Sequence, residues 1–143
     1  MPSKYYEIDN ATGLVKRAVA QAAVTSTGWV GTQWDQGAAV LTDVACIINL
    51  EAVNVAAGSI YTFSLVGSNI ADRSDGQVLA RAVAGNAASI GAPETVNAAV
   101  GNEIVLLGRT EKDDTAFRYI DLHLTVAGGS ATITFNARIA RVK

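Results

Sequence analysis

From Phe117 to Val126 the chain reads Phe117-Arg118-Tyr119-Ile120-Asp121-Leu122-His123-Leu124-Thr125-Val126. Ile120, Leu122, Leu124 and Val126 fall on one side of a pleated strand. Tyr119, Asp121, His123 and Thr125 fall on the other. Gly128-Gly129 then turns the chain, and Ile133, Phe135, Ala137 and Ile139 alternate with Thr132, Thr134, Asn136 and Arg138. A period of two with one apolar face excludes a helix here and reads as an antiparallel hairpin.

Earlier runs repeat the pattern. Cys46, Ile48 and Leu50 alternate with Ile47, Asn49 and Glu51; Tyr61, Phe63 and Leu65 alternate with Thr62, Ser64 and Val66. Residues 77–83 form another strand, and Ile104-Val105-Leu106-Leu107 reads as a short buried one. Turn chemistry separates the runs at Ala57-Gly58-Ser59, Gly85-Asn86, Gly91-Ala92-Pro93, Gly101-Asn102 and Lys112-Asp113-Asp114. Seven or eight short strands without a helix in the body predict an all-β sandwich or barrel. The long link over 84–103 suits a Greek-key crossover better than a meander. At 143 residues the chain suggests one domain.

The first 23 residues differ. Leu14, Val15, Ala18, Val19 and Ala22 have a weak helical spacing, with Asp9, Asn10 and Thr12 as caps, while Val15, Arg17 and Val19 fit an extended segment equally well. Residues 1–23 are read as an arm outside a sandwich of residues 24–143.

Composition removes several function classes. A net charge of -2 gives no cationic excess for phosphates, so no nucleic-acid partner is expected. No apolar stretch reaches a membrane span, and Met1-Pro2-Ser3-Lys4-Tyr5-Tyr6-Glu7 has no apolar core of a signal peptide. Cys46, the single cysteine, lies in an apolar run and reads as a small buried hydrophobe rather than a reactive thiol. It fits a reducing compartment or assembly inside a cell. One histidine and one cysteine cannot supply the usual zinc sets, so no metal or other cofactor is expected.

The stretch Gly67-Ser68-Asn69-Ile70-Ala71-Asp72-Arg73-Ser74-Asp75-Gly76 concentrates polar chemistry. With Gly76 at the sixth position of an EF-hand loop, Arg73 occupies a ligand position and Ala82 replaces the closing glutamate. An acid/base pair is disfavoured because Arg73 would hold Asp72 and Asp75 in their charged forms. A turn between two strands remains, with Arg73 paired to an aspartate. Asp121 and His123 share a strand face, but no Gly-x-Ser-x-Gly elbow accompanies them, and no enzymatic activity is expected. Trp29 and Trp34 suggest a sugar-stacking platform, a sandwich end or a subunit contact.

Several segments resemble capsid cement (decoration) proteins of tailed bacteriophages, in particular the Bordetella phage cement protein family. They are Phe63-Ser64-Leu65-Val66-Gly67-Ser68, residues 71–80, Arg118-Tyr119-Ile120-Asp121-Leu122 and residues 128–137. The resemblance covers roughly residues 20–142 and implies a jelly-roll β-sandwich of about eight antiparallel strands. It also implies a protein made in the host bacterial cytoplasm that docks on the outer capsid surface of the virion. Its partners would be the major capsid protein and itself, as homodimer or homotrimer. The residues expected at capsid or subunit contacts are Tyr5, Tyr6, Leu14, Val15, Lys16, Arg17, Trp34 and Arg73. The alternative is a glycan-binding β-sandwich module.

Overall fold

The computed structural model describes residues 6–7, 13–90 and 103–142, with backbone alone for 6–7. Its elements are β1 (Tyr6–Glu7), β2 (Val15–Arg17), β3 (Gly28–Asp35), β4 (Asp43–Val53), β5 (Ile60–Ser68) and β6 (Gln77–Gly85). After these come a four-residue helix α1 (Ala87–Ile90), β7 (Glu103–Arg109), β8 (Glu111–Lys112), β9 (Thr115–Ala116), β10 (Tyr119–Ala127) and β11 (Ile133–Val142). One sheet runs β1-β11-β4-β7, with β2 also paired to β11; the other runs β3-β10-β5-β6. Every strand pair is antiparallel. The chain is an all-β sandwich, with β8 and β9 as a small hairpin at its side.

Alternation builds the core. Val44, Cys46, Ile48 and Leu50 of β4 and Ile133, Phe135, Ala137 and Ile139 of β11 face Tyr61, Phe63 and Leu65 of β5 and Ile120, Leu122 and Leu124 of β10. Phe63 and Phe135 meet across the two sheets edge to face, with ring centroids 5.2 Å apart. Each such side chain contributes about 1.5–3 kcal/mol on full burial. Burial pushes the Cys46 thiol up to about 12, so it stays a protonated core residue at neutral pH.

Three expectations are corrected. β10 and β11 do not form a hairpin: β10 pairs with β3 and β5, whereas β11 pairs with β4, β2 and β1. Residues 128–132 carry the chain from one sheet to the other. One-faced alternation specifies a buried side and leaves open whether two successive strands share a sheet or face each other. Residues 13–17 do not stand outside the sandwich. β2 is extended and pairs with β11, and Leu14 is a core residue. β7 is not buried on both faces: Ile104 and Leu106 point inward, while Val105 and Leu107 are exposed. Much of the long link lies outside the described residues.

Candidate functional site

Chemistry-bearing side chains converge on the outer face of the β3-β10-β5-β6 sheet. Alternation along β10 puts Asp121 on that outer face, where solvent would be expected. Asp121 is nevertheless 1% exposed, because two neighbouring segments close over it.

The first is the β5–β6 connection. The Asp75 carboxylate accepts hydrogen bonds from the backbone N–H groups of Asn69 (2.8 Å) and Ile70 (3.1 Å). Asp72 accepts from the Ser74 N–H at 2.8 Å; the Ser74 hydroxyl first, and then this N–H, hold its carboxyl below the usual range. Both aspartates therefore shape the turn. Arg73 adopts a φ of 67°, an uncommon conformation for a non-glycine residue. Its N–H donates to Ile70 O at 2.9 Å, and its own carbonyl accepts from Gly76 N–H at 2.9 Å. So held, Arg73 reaches Asp121, donating from Nε to Oδ2 at 2.9 Å. Its guanidinium also lies 4.6 Å from the centre of the Trp29 ring. The expected arginine–aspartate pair exists, but with Asp121 rather than Asp72 or Asp75.

The second segment is β2. Gly31 in β3 has a φ of 69°, and a side chain there would collide with the Lys16 carbonyl. That close crossing sends the Lys16 side chain into the interior. Its Nζ donates to Thr32 O (2.8 Å) and Ile120 O (3.2 Å) and lies 3.9 Å from Asp121 Oδ1. Burial lowers the Lys16 pKa to about 8, an effect that the Asp121 charge opposes. Gln33 Nε2 completes the cluster, donating to Asp121 Oδ2 at 2.9 Å. The carboxylate oxygens of Asp121 thus face Arg73, Gln33 and Lys16. His123 packs edge-on against Trp29, with centroids 4.8 Å apart. This geometry makes Asp121 an anchor joining β2, β3, β10 and the β5–β6 turn.

The residues expected at contacts fall into distinct groups. Tyr5 lies outside the described residues, and of Tyr6 only the backbone is described, paired with Val142. Leu14 and Trp34 are buried in the core of the single chain. Lys16 and Arg73 are committed to Asp121. Arg17 is half-buried: it donates from Nε to Phe135 O at 2.9 Å, contacts Ala22 O and stacks over the Phe135 ring. Val15 is half-buried beside it. The three cations are engaged within the chain because β2 and the turn fold onto the sandwich. Gln33 and the Arg73–Trp29 contact were missed, since nothing local in the sequence marks partners over forty residues apart.

Beside this cluster, a groove of about 500 Å³ runs between residues 15–18 and the start of β3, with Gln21, Thr27, Trp29 and Thr32 along it. Trp34 is too buried to stack on a ligand, and Arg73 already covers one face of Trp29. No group of three or more His, Cys, Asp or Glu side chains able to hold a metal occurs among the described residues. The sequence matches no protein-family model, and no curated protein is significantly similar to it.

Proposed function

We propose that the chain is a capsid cement protein of a tailed bacteriophage. In this reading it is a jelly-roll sandwich without enzymatic activity, acting as a homo-oligomer on the outer surface of the virion head. There it bridges major capsid protein subunits and stabilises the shell against internal pressure. The observation that carries the reading is the strand order. β11-β4-β7, with β1 and β2 both paired to the free side of β11, stands opposed to β3-β10-β5-β6; counting β2 as the strand beside β11, this order supports a jelly roll, an architecture recurrent in viral capsid domains. The segments that resemble cement proteins supply most of β5, most of the turn after it, and the first parts of β6, β10 and β11. The commitment of Asp121 to ion pairs supports a structural role.

The mechanism is additive. Each oligomer holds adjacent capsomers, so separating them must also break its contacts. Linked weak contacts raise the effective concentration of the next by avidity. Binding stabilises the assembled state in proportion to occupancy. Docking through Lys16, Arg17 and Arg73 is set aside, because those cations already have partners in the chain.

Purified heads with and without the protein test the reading. The expected outcome is stoichiometric association and greater heat resistance of the decorated heads. Equal heat resistance, or no association, defeats it. The glycan-binding alternative draws on the groove beside the 42% exposed Trp29. Glycan-array binding lost on Trp29→Ala would favour it.

A further inference from the structure

β7 is an edge strand: it pairs with β4 on one side, and no described strand pairs with the other. The other edges are blunted. The free side of β11 is covered in turn by β1, β2 and Val24. β6 carries a register shift against β5, and Lys112 Nζ donates to Val78 O at its edge. β3 takes a φ of 69° at Gly31, against which the Lys16 carbonyl of β2 lies. β7 has a regular register with β4 from Glu103 to Arg109 and presents Val105 (40% exposed) and Leu107 (55% exposed) on its outer face. Among the described residues this edge is open, regular and apolar, and such an edge is a template for another strand.

We infer that the occupant of this edge is β7 of a second copy, paired antiparallel about a two-fold axis through Leu106. The strand Glu103-Ile104-Val105-Leu106-Leu107-Gly108-Arg109 is self-complementary in that register alone. Glu103 of each copy stands opposite Arg109 of the other, and Val105 stands opposite Leu107. Opposite charges and apolar side chains directly across an antiparallel pair are the favourable cross-strand combinations. The contact is isologous, so it closes as a dimer rather than growing into a fibre. The apolar strip continues inward on each copy, because Ile47 pairs with Val105 and Ala45 with Leu107 on the same sheet. Asp43, 2.9 Å from Arg109 Nε, holds that guanidinium at the strand end, where the Glu103 carboxylate of the other copy arrives. This interface gives a surface to the homo-oligomer proposed above, yet it rests on the β7 edge and not on the capsid.

Sedimentation velocity on the full chain and its variants tests it. The wild type is expected to be a dimer. Leu107→Lys is expected to weaken association by on the order of a hundredfold, because each dimer loses two apolar contacts and gains two cations. Glu103→Arg alone sets arginine against arginine, and Arg109→Glu alone sets glutamate against glutamate, so each is expected to be monomeric. Mixed together, the two variants restore every opposite pair and are expected to form a heterodimer. A wild type that stays monomeric at high concentration overturns the inference. So does a dimer indifferent to Leu107→Lys, or a mixture that fails to associate. A monomer that still binds heads would sink this interface and the homo-oligomer with it, leaving only the docking on heads; a β7 dimer that ignores heads would keep the interface and sink the capsid reading.

Discussion

The outer faces of the two sheets follow the same alternation but end in opposite states. On the β3-β10-β5-β6 sheet, charged Asp121 is buried beneath Arg73 and against Lys16. On the β1-β11-β4-β7 sheet, apolar Val105 and Leu107 stand in water. Polarity alone would assign the reverse. What differs is the covering: a turn and a crossing strand close one face, and no described segment closes the other at β7. A buried charge must be satisfied within the chain, whereas an exposed apolar strip lowers its free energy by meeting something outside it.

The largest effect should come from breaking the covered face at its anchor. Asp121→Ala leaves Lys16 and Arg73 without their carboxylate and is expected to cost about 3–5 kcal/mol of stability. Chemical denaturation measures it. A loss below about 1 kcal/mol would mean that the cluster is solvated and the contrast between the faces is false.

A somewhat smaller effect is expected in the pH dependence. The folded-state pKa of Lys16, about 8, lies below its ordinary value of 10.5. Below pH 8 the lysine is charged in both states, and the cost of burying that charge is fully present. Between about pH 8 and 10.5 the unfolded chain binds more protons than the folded one, so this contribution to stability rises with pH. The rise amounts to roughly 3 kcal/mol at most. Cys46 acts in the opposite direction, since its folded pKa is raised, so the useful quantity is the difference between wild type and Lys16→Met. Parallel stability curves for the two proteins across this window would show that Lys16 is not desolvated.

The smallest effect belongs to the open face. In dilute monomer, Leu107→Lys is expected to change folding stability by no more than about 0.5 kcal/mol, as for an ordinary surface position. Midpoints of thermal unfolding should rise with protein concentration in the wild type and not in the variant. A large loss of stability in the dilute variant would show that Leu107 is packed within its own chain, and the contrast would collapse.

Residue-level reading of the sequence was sufficient for the all-β class, the turns at Gly58 and at Asp113-Asp114 and the inward face of four central strands; the turns expected at 91–93 and 101–102 lie outside the described residues. Phe63, Leu65, Ile120, Leu122, Leu124, Ile133, Phe135 and Ile139, expected to be buried, are all in the core. The period of two is a local property, written directly in the order of side chains, and burial of one face follows from it. The partners of each strand were decided only in three dimensions. β10 and β11 look like a hairpin in sequence and belong to different sheets, because the same alternation serves both arrangements. Lys16 and Arg73 look like surface cations and are drawn to Asp121 by a strand crossing at Gly31 and a turn held by Asp72 and Asp75. An ion pair between residues 48 positions apart depends on how the chain returns to itself, and no short-range pattern encodes that distance.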